Sequence, residues 1–229
     1  MLLGGLQKLT TLDFSGVISA LVFTQGCNFH CPYCHNAQLI PARPLPGADP
    51  APDADAVLAF LHKRRTVLDG VAITGGEPCL QPDLEAFCGE IRKIGYKIKL
   101  DTNGSFPEVV RNLLEKSLVD YVAVDVKTAP DRYAPNLTRD ENAGASLVET
   151  LAILEEHGVP HEARTTCVAP FVEESAVAAM ANIVPRAVPW FFQRATIATP
   201  TPHMRPVPHE EIQSLIAAIA ATHPLAALR

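Results

Sequence analysis

The sequence predicts an α/β protein in which about six strand–helix units form an incomplete, open barrel. Short apolar or β-branched runs alternate with longer segments of helical periodicity, and such repeated units require a parallel sheet with right-handed crossovers. Eight units would close a barrel of about 250 residues, so six units in 229 residues indicate an open (β/α)6 arrangement. A doubly wound open sheet is the competing arrangement. Both folds place functional residues at the carboxyl ends of strands, so both predict polar residues there.

Six strands are predicted where short apolar runs end at polar or glycine-containing segments. In chain order, these runs cover residues 18–24, 70–74, 97–101, 121–126, 162–168 and 190–196. Each run is followed by a segment with helical spacing, which is the pattern that parallel strands require.

Six helices are predicted from apolar residues at a helical period. The second is the clearest, since Leu84, Phe87, Ile91 and Ile94 form one apolar stripe. The fourth ends at Gly158, a typical C-terminal cap. The predicted helices cover residues 53–67, 82–94, 107–116, 146–157, 174–184 and 209–222, with proline-containing loops at 41–52 and 199–203.

The composition is that of a folded globular protein with a modest negative charge. Hydrophobic residues make up 48% of the chain, and 25 acidic residues outnumber 19 lysines and arginines to give a net charge of −6. No long basic block is present, so binding to nucleic acid or to an anionic membrane is not expected. No apolar run reaches the roughly 18 residues of a membrane span, and the N-terminus lacks signal-peptide features. We therefore expect a cytoplasmic protein with one domain over residues 1–229.

Three of the six cysteines fall on one short loop. The segment QGCNFHCPYCHN gives the spacing Cys-x3-Cys-x2-Cys at Cys27, Cys31 and Cys34. Clustered thiols without a secretion signal more often bind metal or perform redox chemistry than form disulfides. A tetrahedral zinc site would need a fourth ligand, such as His30 or His35. An iron–sulfur cluster held by three cysteines would leave one iron open to a small molecule. The spacing alone does not decide between these two metals.

Polar residues lie at the ends of the first four predicted strands, and the fifth and sixth predicted strands carry polar residues themselves. Because the carboxyl ends of parallel strands meet at one edge of a sheet or one mouth of a barrel, we expect these residues to form a common site. The segments are 25–27, 74–78, 101–104, 125–127, 164–167 and 193–194.

Two of these segments resemble the motifs of the radical S-adenosylmethionine (SAM) enzymes. Cys27, Cys31, Tyr33 and Cys34 match the pattern Cys-x3-Cys-x-aromatic-Cys, and Thr-Gly-Gly-Glu-Pro at 74–78 matches the Gly-Gly-Glu segment of the family. The resemblance extends over almost the whole chain and implies a partial (β/α)6 barrel of the radical SAM type, with one 4Fe–4S cluster and bound SAM. It also implies reductive cleavage of SAM to methionine and a 5′-deoxyadenosyl radical that abstracts hydrogen from a substrate.

The resemblance implies a role for each polar residue of the expected site. The catalytic cluster would be held by Cys27, Cys31 and Cys34. The residues implied in SAM binding are Tyr33 near the adenine, Asn36, Gly75 and Gly76 at the methionine ammonium, Glu77 fixing the same turn or neutralising the ammonium, Asp101 near the amino group, Asn103, Lys127 near the carboxylate, and Arg164 for the carboxylate or ribose. A monovalent cation, bound in some members, would be held by Asp101, Thr102 and Asp125.

Within this superfamily, the chain most resembles the activases of glycyl-radical enzymes. Asn36 after the third cysteine, Asp-Thr-Asn-Gly at 101–104 and Asp-Val-Lys at 125–127 fit that group. The opening segment up to Asn36 resembles the activating proteins of anaerobic (class III) ribonucleoside-triphosphate reductase. Such a reductase is then the implied partner, a glycine Cα hydrogen the substrate, and a flavodoxin- or ferredoxin-type protein the electron donor.

Three alternatives remain open at this point. One is the activase of pyruvate formate-lyase or of another glycyl-radical enzyme. A second is a small-molecule radical SAM enzyme, such as a 7-carboxy-7-deazaguanine synthase. The third is a zinc-binding or redox interaction module without radical chemistry.

Overall fold

The chain divides into two compact units in a computed structural model that describes residues 1–197 and 204–229. Unit 1 comprises Met1–Asn28, Asn36–Thr102 and Glu108–Val122, and unit 2 comprises Phe29–His35, Asn103–Pro107 and Ala123–Arg229. The loop predicted at residues 199–203 lies outside the described residues. The expectation of one domain over residues 1–229 stays a prediction.

The strands of unit 1 lie side by side in chain order. They are β1 (Leu3–Thr10), β2 (Ser19–Thr24), β3 (Gly70–Gly75) and β4 (Lys97–Thr102). β1 is antiparallel to β2, whereas β2, β3 and β4 run parallel. β2 and β3 pair without interruption from Ser19 opposite Gly70 to Thr24 opposite Gly75. Both strands therefore end at the same level.

The helices of unit 1 are α1 (Ala54–Arg64), α2 (Leu84–Ile94) and α3 (Pro107–Glu115), the last of which belongs to this unit from Glu108 onward. α1 begins after Asp53, whose carboxylate accepts a hydrogen bond from the amide of Ala56 at 2.7 Å. The apolar stripe predicted for α2 is buried at Leu84, Phe87 and Ile91. Gly95 ends α2 with a left-handed φ of +105°.

β5 (Tyr121–Asp125) crosses the division between the units, because its first two residues belong to unit 1 and the rest to unit 2. The other strands of unit 2 are β6 (His161–Ala169), β7 (Trp190–Arg194), β8 (Arg205–Pro206) and β9 (Ala226–Leu228). β6, β7 and β9 are parallel neighbours in that order, and β8 is antiparallel to β6. The helices of unit 2 are α4 (Ala143–His157), α5 (Glu174–Ala181) and α6 (His209–Ile219).

The core of unit 2 contains Trp190 and Phe192, both fully buried, with ring centres 4.8 Å apart. The indole nitrogen of Trp190 donates to Thr165 Oγ1 at 2.9 Å. This bond satisfies the polar atom of a large apolar side chain.

The predicted α/β fold with a parallel sheet is confirmed, and each predicted strand and helix is present with its ends shifted by a few residues. The segment at 41–52 contains neither helix nor strand, as predicted. The strands β1, β8 and β9 were not predicted from the sequence. No helix in the two described ranges is long and apolar enough to cross a membrane.

Gly89→Ala should raise the free energy of unfolding by about 0.5–1 kcal/mol, because alanine loses less backbone entropy than glycine inside a helix. Gly89 lies within α2, and a Cβ added there meets no heavy atom within 4 Å. Gly95→Ala is the matched control and should lower stability, because its backbone is left-handed. Urea unfolding followed by far-UV circular dichroism measures both, and a lower midpoint for Gly89→Ala would contradict the prediction.

Candidate active site

In unit 1, the segment that follows the cysteine loop is fixed to the end of β2. Cys27 donates its amide hydrogen to Ile40 O at 3.0 Å. The buried side chain of Gln25 donates to Gln38 O at 3.1 Å and to Pro41 O at 2.7 Å. These bonds hold Cys27 at the carboxyl end of β2. Gln25 is predicted from the sequence only to lie at a strand end, and a polar residue two positions before Cys27 was the signal that could have indicated its structural role.

In unit 2, the cysteine loop forms a turn of its own. The amide of Cys34 donates to Cys31 O at 3.1 Å, and the amide of His30 donates to Leu137 O at 2.8 Å. Both cysteines are partly exposed. Burial raises the pKa of the Cys31 thiol, although the ammonium of Lys127 acts in the opposite direction. The Lys127 cation therefore acts to favour the thiolate form of Cys31, which is the form that ligates metal.

The other three cysteines are buried. Burial raises the pKa of Cys88 and of Cys167 to about 12, and raises that of Cys79 well above its ordinary value. Thiols in such surroundings pack as small apolar groups and react slowly.

In unit 1, the two glycines of the Gly-Gly turn allow the backbones that follow β2 and β3 to come into close contact. The amide of Gly76 donates to Thr24 O, and that of Glu77 to Gly26 O, both at 2.9 Å. A Cβ on Gly75 would lie 2.2 Å from Thr24 N, and one on Gly76 would lie 2.0 Å from Gly26 O. Any side chain at either position would therefore push the ends of β2 and β3 apart.

Glu77 fixes this turn from inside the protein. It is 1% exposed, and its Oε1 accepts hydrogen bonds from the amide of Cys79 at 3.0 Å and from Thr102 Oγ1 at 2.8 Å. Of the two roles expected for Glu77, these hydrogen bonds correspond to the structural one, which fixes the turn. The bond to Thr102 also joins the end of β3 to the end of β4.

Two predicted binding residues take part in local turns. The side-chain oxygen of Asn103 accepts from the amide of Ser105 at 3.0 Å and from its hydroxyl at 2.6 Å. Asn36 is half-buried, and its carbonyl accepts from the amide of Leu39 at 2.8 Å. Both residues therefore shape the backbone of the segments that carry them.

Asp125, Lys127 and Arg164 form a charged cluster in unit 2. Asp125 Oδ2 lies 3.0 Å from Lys127 Nζ, and Asp125 Oδ1 accepts from Arg164 Nε at 3.0 Å. Burial alone would raise the pKa of Asp125, but Arg164 and then Lys127 outweigh it and lower the pKa to about 2. Burial likewise disfavours the Lys127 ammonium, but Asp125 raises its pKa well above the ordinary value. Asp125 and Lys127 are therefore both charged at neutral pH, and the guanidinium of Arg164 is always charged.

Tyr33 is the one aromatic residue of the cysteine motif that the sequence singled out. Its ring packs on Phe171 with ring centres 5.2 Å apart, and the residue is 9% exposed. Its hydroxyl is buried and has no hydrogen-bond partner. Burial raises its pKa well above the ordinary value, so the hydroxyl remains protonated and can donate. A buried donor without a partner is costly, and a polar ligand would relieve that cost.

The predicted site residues thus fall into two groups, each assembled within one unit. Those in unit 1 are Cys27, Asn36, Gly75, Gly76, Glu77, Asp101 and Thr102, and those in unit 2 are Cys31, Tyr33, Cys34, Asn103, Asp125, Lys127 and Arg164. Within residues 1–197 and 204–229, no three or more His, Cys, Asp or Glu side chains are arranged as a metal site. The assignment of the three cysteines to a cluster therefore depends on their motif and family.

The family is shown by comparison with known proteins. The model of the Radical SAM superfamily matches residues 21–182, which is more than half of the chain. The chain belongs to the radical SAM superfamily. It is therefore a radical SAM enzyme whose cofactors are a 4Fe–4S cluster and SAM.

Similar proteins include two archaeal relatives. A Methanocaldococcus jannaschii protein named as a candidate glycyl-radical enzyme activating enzyme, MJ1227, is 32% identical over 189 residues, covering 80% of this chain and 75% of that protein. A 7-carboxy-7-deazaguanine synthase of Thermococcus kodakarensis is 30% identical over 149 residues, covering 58% of this chain and 57% of that enzyme.

Among solved structures, a radical SAM methyltransferase from Sphaerobacter thermophilus matches with a TM-score of 0.67 at 16% identity, covering 94% of this chain and 67% of that one. At this identity the likeness shows the fold alone. It supports the barrel type of α/β fold over the doubly wound sheet.

The residues of this radical SAM enzyme fit its cofactors. Three partly exposed thiols on one loop suit a cluster with an open iron. The cationic side chains of Lys127 and Arg164 suit a carboxylate, and the buried Tyr33 hydroxyl has no partner within the protein.

Asp125→Asn should lower the free energy of unfolding by an amount that depends on pH. The pKa of Asp125 is lowered from 3.8 to about 2, so the ionised carboxylate contributes its full stability above about pH 4 and loses it as the pH falls toward 2. The difference in urea midpoint between the wild type and Asp125→Asn should therefore shrink below about pH 4. Asp131→Asn, at an exposed position of unit 2, controls for the loss of a carboxylate. A constant difference for Asp125→Asn across this range would contradict the prediction.

Tyr33→Phe should not lower the stability of the ligand-free protein, because the hydroxyl that it removes has no partner. If the hydroxyl binds SAM, the dissociation constant for SAM should rise by about 5- to 10-fold, the loss expected for one hydrogen bond. Tyr96→Phe is the matched control, since the Tyr96 hydroxyl donates to Leu61 O at 2.7 Å. This control should lose about 1 kcal/mol of stability and bind SAM normally. Equal destabilisation by both variants would refute the prediction.

Proposed function

We propose that this radical SAM enzyme is an activase that installs a glycyl radical in a partner enzyme. The observation that carries the proposal is the 32% identity with MJ1227 of M. jannaschii, which extends over 75% of that protein and 80% of this chain. The anaerobic (class III) ribonucleoside-triphosphate reductase is the first candidate partner, because the opening segment up to Asn36 resembles the activating proteins of that reductase.

The charged cluster of unit 2 supports a role in holding the methionine carboxylate of SAM. Asp125 keeps the cationic groups of Lys127 and Arg164 within 3.0 Å of its own oxygens, so both are positioned before a ligand arrives. Lys127 retains its proton because Asp125 raises its pKa. An arriving carboxylate would therefore meet a preformed cationic site and would not need to order two flexible side chains.

The remaining assignments follow the motifs. We propose that residues 1–229 are one domain that binds one cluster and one SAM, since the family match at residues 21–182 includes residues of each unit. The cluster ligands would be Cys27, Cys31 and Cys34. The SAM-binding residues would further include Tyr33, Asn36, Gly75, Gly76, Glu77, Asp101 and Asn103.

The reaction balances as a one-electron process. When bound, the reduced cluster supplies one electron to SAM, which yields methionine and a 5′-deoxyadenosyl radical. In the partner, the Cα–H bond of one glycine breaks, the hydrogen atom forms the new C–H bond of 5′-deoxyadenosine, and the unpaired electron remains on the glycine Cα. A flavodoxin- or ferredoxin-type protein would supply the electron.

A second candidate is a small-molecule radical SAM enzyme of the 7-carboxy-7-deazaguanine synthase type. The 30% identity with the T. kodakarensis synthase favours it, but this match covers 58% of the chain, against 80% for MJ1227. The two functions differ in substrate, because one acts on a protein glycine and the other on a small molecule.

The function is tested with the cluster-loaded enzyme, reduced anaerobically with dithionite in the presence of SAM. We expect 5′-deoxyadenosine and methionine in equal amounts, and a glycyl-radical signal in electron paramagnetic resonance when a class III reductase is added. Cys31→Ala should abolish both, because an iron loses its thiolate ligand, whereas Cys88→Ala, at a buried position of α2, should retain both.

Two controls separate the alternatives. The reductase with its radical-bearing glycine changed to alanine should give no signal. SAM cleavage without a radical in the reductase, in pyruvate formate-lyase or in other glycyl-radical enzymes would refute the activase proposal. Turnover of a deazaguanine precursor in that case would establish the second candidate.

A further inference from the structure

Lys99 is a buried lysine to which neither the motifs nor the proposed reaction assigns a role. It lies on β4 two residues before Asp101, so both side chains emerge on the same face of the strand. Its side chain is 3% exposed, and Nζ lies 3.4 Å from Asp101 Oδ1. Lys97, the first residue of the same strand, is exposed. Of the two lysines on β4, only Lys99 is therefore buried.

The surroundings of Lys99 stabilise a cation in three ways. Nζ donates a hydrogen bond to the main-chain oxygen of Asp13, and it lies 5.6 Å from the centre of the Tyr121 ring. The side chain of Asp13 is itself held by Thr10 Oγ1 at 2.5 Å. A carboxylate, a carbonyl oxygen and an aromatic face together offset part of the cost of taking an ammonium out of water.

An ammonium at this position changes what Asp101 can bind. Asp101 and Thr102 are oxygen donors of the kind that hold a hard cation. A Na⁺ or K⁺ ion on Asp101 would lie close to Lys99 Nζ, and both groups are almost fully buried. Little water would then screen the repulsion between the two positive charges. The Lys99 ammonium already supplies the charge that such an ion would contribute.

We propose that the Lys99 ammonium replaces a monovalent cation beside Asp101, and that Lys99 is a positioning residue that holds this carboxylate for the amino group of SAM. This inference rests on the proposed place of Asp101 in the SAM-binding site. It follows that SAM binding by this enzyme requires neither Na⁺ nor K⁺. The monovalent-cation site expected at Asp101, Thr102 and Asp125 is then not used by this enzyme.

The experiment measures SAM affinity in the cluster-loaded enzyme by isothermal titration calorimetry. Titrations are made in potassium chloride and in choline chloride at equal ionic strength, so that only the availability of a small cation differs. The wild type, Lys99→Met and Lys97→Met are compared, the last being an exposed lysine of the same strand. Cluster content is matched by iron analysis before each titration.

We expect the wild type to bind SAM with the same dissociation constant, within about twofold, in both salts. Lys99→Met should bind about tenfold more weakly in choline chloride, and potassium should restore most of the loss, because the ion can occupy the vacated position beside Asp101. Lys97→Met should behave as the wild type in both salts.

Three results would overturn the inference. One is a wild-type affinity that rises about fivefold or more with potassium. Another is normal binding by Lys99→Met in choline chloride. The third is a loss in Lys99→Met that potassium does not reverse, which would leave Lys99 a structural role only. If Lys99→Met does not fold or load its cluster, the wild-type comparison decides alone. No partner enzyme is used, so failure of the activase proposal would not alter these measurements.

Discussion

The unbroken parallel pairing of β2 with β3 is the constraint on which the site of unit 1 depends. Because Thr24 and Gly75 end the two strands opposite each other, the segments that follow them meet backbone to backbone. Only glycine leaves room for that contact, and the contact in turn fixes where Glu77 enters the interior. The first cysteine of the cluster motif and the Gly-Gly-Glu turn are therefore parts of one hydrogen-bonded structure.

In each unit, a carboxylate pairs with cationic side chains, but the exposure of those side chains differs between the units. In unit 2, Asp125 pairs with both Lys127 and Arg164, whose side chains remain 17% and 15% exposed. In unit 1, the Lys99 side chain is 3% exposed, and its ammonium group is paired with Asp101 inside the protein. The same ion-pair chemistry thus positions two partly exposed cations in unit 2 and one almost fully buried cation in unit 1.

Some elements of the fold can be predicted from the sequence, and others cannot. β3 is predicted because Val71, Ala72 and Ile73 form an apolar run that is wholly buried. β1 is missed because its residues are mostly half-buried or exposed and include two glycines, and β9 is missed because three residues carry no periodicity. The cysteines and the Gly-Gly-Glu turn are predictable because the chemistry fixes their spacing.

Other contributors to the site could not be predicted from local patterns. Tyr133 is 1% exposed, its hydroxyl accepts the amide of Lys127 at 2.9 Å, and its ring meets Phe29 of the cysteine loop. The ring contact with Phe29 joins segments that lie far apart in the sequence, which no local pattern indicates. The proximity of Lys99 to Asp101 could have been predicted, since residues two positions apart lie on the same face of a strand.

The burial of Trp190 has a practical consequence for spectroscopy. It is the one tryptophan of the chain, it is fully buried in unit 2, and its ring lies edge-on to His223 at 5.4 Å. Indole emission therefore reports the solvent exposure of unit 2 alone, whereas amide circular dichroism reports helices and strands of both units. A comparison of the two signals during denaturation reveals whether the units lose their structure together or in separate steps.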